Sequence, residues 1–137
     1  MKLYSVLPAL AAAMMFFACA TGKMNIPLDL SPSELIQRAQ EASDKNRYNQ
    51  ALQYYQALLE RNPTNIDLVC TAEYEIAFIH YKQKKYGQAR AGFNALLERY
   101  NAFDGDRLPP QFKLLALKVL ERIDEKEKPR TFFSRGA

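Results

Sequence analysis

Tyr48-Asn49-Gln50-Ala51-Leu52-Gln53-Tyr54-Tyr55-Gln56-Ala57-Leu58-Leu59-Glu60-Arg61 is answered later in the chain by Tyr86-Gly87-Gln88-Ala89-Arg90-Ala91-Gly92-Phe93-Asn94-Ala95-Leu96-Leu97-Glu98-Arg99. An aromatic, a small residue three positions on, a second aromatic four beyond it and a closing Leu-Leu-Glu-Arg recur with an offset of 38 residues. Spacings of three and four put these side chains on one side of an α-helix. A small residue between two aromatics lets a neighbouring helix come close, with the rings filling the grooves beside the contact.

Each copy follows another helical pattern and a short polar or basic turn. Ser31-Pro32-Ser33-Glu34 is a helix start, in which Ser31 caps, Pro32 suits the first helical position and Glu34 completes a capping box. Leu35, Ile36, Ala39 and Ala42 then recur at helical spacing, and Asp44 to Arg47 break the pattern. The second helix ends at Asn62-Pro63, because a residue before proline is pushed out of the α region. The unit resembles the tetratricopeptide repeat, a helix–turn–helix of about 34 residues. The resemblance spans residues 32–101 and rests on Tyr48, Ala51, Tyr55 and Pro63 in the first copy. Tyr86, Ala89 and Phe93 carry it in the second, with Asn101 where the family has Pro. Ala39 and Ala77 match the small position of the first helices. The family's early Trp is missing from both copies.

The resemblance implies an all-α fold. Two tetratricopeptide repeats and a C-terminal capping helix would make a short right-handed solenoid of five helices over residues 32–128. The 38-residue offset exceeds the usual period by four, about one helical turn. Ile66 to Val69 should therefore lengthen the third helix by a turn, capped by Thr64 or Asn65. A loop follows Tyr100. Pro109-Pro110 opens the fifth helix, with Phe112, Leu115, Val119, Leu120 and Ile123 on the face that covers the second repeat. Pro129 stops it, and residues 129–137 are expected to form a flexible tail.

Composition and motifs give no support for chemistry. The chain of 137 residues carries a net charge of +4, too little to demand a nucleic-acid partner. One His and two Cys are too few for a structural zinc site, which usually takes four such ligands. Cys70 and His80 invite a nucleophile–base reading, but ten residues along one helix separate them by about 15 Å. Asp104-Gly105-Asp106 has too few ligands after it for a calcium loop and reads as a turn. Glu121, Asp124, Glu125 and Glu127 alternate with Arg122, Lys126 and Lys128, the pattern of a solvated helix face. No glycine-rich phosphate loop is present. The chain is therefore expected not to be an enzyme and to need no cofactor or metal.

The family's groove positions, carried over by resemblance, are Ser33, Ile36, Gln40 and Ser43 in the first copy, then Thr71, Tyr74, Phe78, Tyr81 and Lys82 in the second. Chaperone-binding members hold a peptide carboxylate with Lys and Asn there. Tyr74 and Phe78 replace them here, so an aromatic, apolar groove is expected, with self-association a further use of it. Lys82, Lys84, Lys85 and Arg90 form a basic patch at the second turn, suited to an acidic partner or lipid head groups, or simply to solvent. The implied function is a scaffold holding an envelope protein or peptide. The alternatives are a binding protein for a small apolar ligand or peptide cargo, and an enzyme or transport subunit.

The first residues read as an address. Lys2 precedes the uncharged, mostly apolar run Leu3 to Ala18, shorter than the about 20 residues of a membrane span and fitting a signal peptide over 1–18. Phe16-Phe17-Ala18-Cys19 resembles a bacterial lipobox. Ala18 and Cys19 match it, while Phe16 and Phe17 depart from it. Ala18-Cys19-Ala20 also fits an A-x-A cleavage site. Lipidation accounts for the cysteine, which an ordinary signal leaves without a role. Residues 19–31 then form a linker. Ala20 in place of a retaining Asp implies the outer membrane of an exported, periplasm-facing lipoprotein. Mass spectrometry of the mature protein should find a lipid-bearing Cys19 at its N-terminus. An unmodified Thr21 would refute lipidation while leaving export standing.

Overall fold

The computed structural model of the chain describes residues 22–102 and 104–128. The signal segment 1–18, Cys19 and the tail 129–137 lie outside the described residues. Five α-helices follow one another: α1 Pro32–Asp44, α2 Tyr48–Arg61, α3 Ile66–Lys82, α4 Tyr86–Tyr100 and α5 Pro110–Glu127. A single 3-10 turn, Gly105–Arg107, precedes α5. Among the described residues there is no strand, and no helix is long and apolar enough to cross a membrane.

Local chemistry sets the boundaries. At α1 the Ser31 hydroxyl accepts the Glu34 N–H at 3.3 Å, and the Glu34 carboxylate accepts the Ser31 N–H at 2.8 Å. This satisfies two donors that a helix start leaves open. Asn65 Oδ1 accepts the Leu68 N–H at 3.2 Å, so α3 starts at Ile66 with its extra turn. The two helix–helix turns are copies of each other. Asn46 (φ 56) and Lys84 (φ 60) stand at equivalent repeat positions in the left-handed region. The Arg47 N–H reaches the Ala42 carbonyl at 2.8 Å, and the Lys85 N–H reaches the His80 carbonyl at 2.9 Å. That six-to-one bond with a left-handed residue before it is the Schellman helix ending.

Two core clusters share α3. Leu35 and Ala39 of α1, with Ala51, Tyr55 and Leu58 of α2, pack on Ala72 and Ile79. Phe93 and Leu96 of α4, with Ala116, Val119 and Ile123 of α5, pack on Cys70, Tyr74 and Ala77. Ala39, Ala51, Ala77 and Ala89 are all fully buried, as is Phe93, while Tyr48 and Tyr86 are half-buried at the edges. α3 and α4 also meet closely at Gly92, where an added Cβ would come within 2.9 Å of the Ala77 Cβ. Arg99 ties the same two helices together with a bidentate pair to Glu73 at 2.6 and 2.8 Å.

Three details depart from the sequence reading. Leu115 does not join the buried face of α5: it is 39% exposed, beside Leu114 and Leu117 on the outer side. Arg90 is not free in a basic patch, because it reaches Asp124 at 2.8 Å and Glu127 at 2.6 Å on α5. Those two carboxylates are accordingly not simply solvated. Residues 22–31 are no loose linker but a strap along α2. Arg61 donates to the carbonyls of Pro27 and Ile26 at 2.9 and 3.1 Å, and the Met24 N–H reaches Gln53 Oε1 at 2.6 Å. Ile26 and Leu30 pack on the first core.

Ala89→Leu should cost about 1–3 kcal/mol through overpacking. Gly92→Ala should also destabilise, since the Ala77 methyl cannot rotate away, outweighing the roughly 1 kcal/mol by which Ala favours a helix over Gly. Lys84→Gly should instead stabilise by about 0.5–1 kcal/mol, because glycine adopts the left-handed turn without a Cβ penalty. Chemical denaturation of the three variants checks the signs together.

Candidate functional site

α1, α2 and α3 enclose a pocket of about 260 Å³ on the side of the array formed by the first helices. Gln40, Ser43 and Asp44 come from α1, Tyr55 from α2, and Glu75, Phe78 and Lys82 from α3. Spacings of three, four and seven residues bring the α1 and α3 sets each onto one helix face. Lys82 bridges the helices: its ammonium donates to Ser43 Oγ at 3.0 Å and lies 5.7 Å from the centre of the Phe78 ring.

Beneath that bridge lie polar groups left without partners. Tyr55 is 1% exposed, and its hydroxyl makes no hydrogen bond. A buried unsatisfied hydroxyl costs roughly 1–3 kcal/mol, so its presence in a well-packed core calls for a reason. Burial first, then the charges of Glu75 and Asp44, raise the Tyr55 hydroxyl far above its ordinary range, so it stays protonated. Glu75 is half-buried. Burial raises its carboxyl above the ordinary value, with Lys82 pulling the other way. The ion pairs among the described residues join Arg90 to Asp124 and Glu127, and Arg99 to Glu73. Glu75 has none. The pocket thus carries two carboxylates against one ammonium.

The predicted groove residues divide. Gln40, Ser43, Phe78 and Lys82 converge on the pocket. Tyr74 does not belong to a free surface: it is 8% exposed, with its ring 5.6 Å from Phe93 and 5.5 Å from Phe112. α5 lays Phe112 over it, which helical periodicity within α3 could not reveal. Tyr81 is half-buried between Phe78 and Tyr86, at 5.7 and 5.9 Å. Ile36 packs on the first core. Thr71 turns back to the Asp67 carbonyl at 2.7 Å, and Ser33 stands 3.1 Å from Ser31 in the α1 cap. The groove is therefore more polar than an aromatic stripe would be.

Asp44, Tyr55 and Glu75 are the lining residues that sequence reasoning missed. One signal was available. Val69 to Tyr81 is an apolar run holding two glutamates, and only Glu73 has a cation to meet. Cys70 is buried and unpaired, its thiol raised first by burial, the state of an inert thiol. Among the described residues no cluster could hold a metal ion.

The repeated turn, the double use of α3 and the concave pocket together define the architecture. The fold is a tetratricopeptide-like helical repeat. The chain is 36% identical over 117 residues to an uncharacterized protein of Treponema pallidum, covering 84% of this chain and 47% of that one. It is 32% identical over 98 residues to a tetratricopeptide repeat and J domain-containing co-chaperone of Fusarium oxysporum, covering 72% of this chain and 18% of the co-chaperone. The chain thus spans under half the length of either relative. No protein-family model matches it, and no solved structure does.

Because the Glu75 carboxyl is raised, its ionisation costs the folded state. The associated stability is full below the ordinary value of 4.5 and is lost as pH rises through the raised value. Lys82, Asp44 and Tyr55 are the charged and titratable groups that face it. Glu75→Gln should therefore melt higher than the parent at neutral pH, with the difference vanishing on acidification. Melting curves across that pH range measure it.

Proposed function

We propose that the chain is a protein-interaction scaffold whose concave face holds an extended segment of another protein, and that it catalyses nothing. The unpartnered Tyr55 hydroxyl beside an unpaired Glu75 carries this reading, because both acquire partners when a peptide enters. The tetratricopeptide-like fold and the likeness to a co-chaperone with such repeats support it. Ser43 is buried, but Lys82 is exposed, so its ammonium can swing away from the Ser43 hydroxyl.

We place the scaffold in the bacterial envelope, exported by residues 1–18 and anchored through a lipidated Cys19, with the outer membrane the favoured address. The strap gives that anchor a geometric consequence. Gln53, which holds the strap, lies two residues from Tyr55, about 160° around α2. A tether leaving from the strap draws the far side of α2 toward the membrane and leaves the groove facing away from it, open to an envelope partner.

A second reading, a small apolar ligand, is favoured by a cavity of about 410 Å³ between the strap and α2, lined in part by Met24, Ile26, Leu28 and Ala57. Volumes of roughly 300–1,000 Å³ suit small molecules.

A photocrosslinking residue at Gln40 should capture one defined envelope protein in living cells. The same residue at Asn94, exposed on α4, should not. Equal capture from both positions would refute the groove as the binding face.

A further inference from the structure

The geometry points to a basic side chain, Arg or Lys, as the group that the bound segment places between Glu75, Asp44 and the Tyr55 hydroxyl; this inference rests on the groove reading above. Ligand chemistries can be compared by what each leaves unsatisfied. A carboxylate meets Asp44 and Glu75 in a pocket that already has one negative charge too many. An uncharged amide can bond Tyr55 and Glu75 but leaves that excess charge in a half-buried site. A cation removes it, donates to the Glu75 and Asp44 carboxylates, and donates to the Tyr55 oxygen, freeing the Tyr55 O–H to donate to the segment's backbone. Hydrogen bonds to a charged group are roughly twice as strong as neutral ones.

The pocket already shows how a cation sits there. Lys82 places its ammonium over the Phe78 ring, 5.7 Å from the centre, and on Ser43 Oγ at 3.0 Å. It forms no ion pair with Glu75. Lys82 is thus a built-in competitor at the rim, holding the cation position over Phe78 without reaching the carboxylate beneath. An incoming guanidinium has to displace it. A guanidinium is also planar and forked, suited to reach two carboxylates while stacking on an aromatic face.

Removing Lys82 therefore separates the two polarities of ligand. If the groove takes a basic group, losing the competing ammonium strengthens binding. If it takes an acidic group, losing Lys82 abolishes binding.

The test uses the full chain in detergent micelles and follows backbone amide resonances during titration with N-acetylarginine amide, its uncharged isostere N-acetylcitrulline amide, and N-acetylglutamate amide. Arginine amide should shift the resonances of Gln40, Glu75 and Phe78, and citrulline amide should bind at least about tenfold more weakly, the loss of one charge-assisted bond. Glu75→Gln should weaken arginine binding by a similar factor while keeping a native spectrum. Lys82→Met should strengthen it. Equal binding of arginine and citrulline amides, preference for the glutamate amide, loss of arginine binding in Lys82→Met, or no shift with any ligand would each overturn the inference. A partner that crosslinks from Gln40 with an affinity indifferent to its basic residues would overturn it and leave the groove standing.

Discussion

Between Ala77 on α3 and Gly92 on α4 there is no room for one more carbon. That distance governs much of the second repeat. Because the helices touch there, Phe93, the residue after Gly92, is driven into the core, where its ring lies 5.6 Å from Tyr74. Tyr74 is in turn fixed at a depth where Phe112 of α5 can cover it. α5 is then secured at its far end by Arg90, which reaches Asp124 and Glu127. The first repeat has no such glycine. Tyr54 stands at the position equivalent to Gly92 and is half-buried against the first core. The two repeats share a plan while differing in the residue that stands at this position, Tyr54 in the first and Gly92 in the second.

Much of the fold was legible because its causes are local. The capping box at Ser31, the cap at Asn65, the helix stop before Pro63 and the extra turn of α3 all depend on residues within a few positions of each other. The paired aromatic–alanine patterns gave the repeat because both copies solve the same packing problem. What failed depended on a neighbour distant in sequence. Tyr74 lies on an apolar face of α3, but only the placement of Phe112, 38 residues away, decides that it is core rather than groove. Arg90 meets partners 34 and 37 residues on. Arg61 closes the strap with carbonyls of Pro27 and Ile26, a bond to backbone that no side-chain pattern announces. Leu115 shares its helical spacing with Val119 and still faces outward, because α5 rests on α4 and α3 through a narrower stripe than its apolar content suggests.

The candidate site was legible only in outline. Repeat register placed Gln40, Ser43, Phe78 and Lys82 at the groove, but it cannot say what they surround. Asp44 was read as the end of a helix, and Tyr55 as packing. Tyr55 is both: it is buried in the first core, with an unpartnered hydroxyl, and it also lines the pocket. Such a residue carries two requirements at one position, and a pattern of apolar spacing records only the first. Glu75 is the clearer sign. Nothing in the packing of α3 requires a carboxylate there, and its ionisation is disfavoured where it lies. Groups that cost stability without repaying it in the free protein are where sequence-level consistency is expected to give way to function.

α2 shows how completely a short helix can be used. Ala51, Tyr55 and Leu58 face the core, and Tyr55 also lines the pocket. On the other side, Gln53 and Arg61 hold the strap by bonds to its backbone. The strap and the groove therefore load opposite sides of one element. Arg61 and Gln53 grip carbonyls and an amide of the strap, and only Ile26 and Leu30 among its side chains pack on the first core. Its path along α2 is fixed by these backbone bonds together with the packing of Ile26 and Leu30. The strap bonds at Gln53 and the pocket lining at Tyr55 therefore use one helix without sharing a surface.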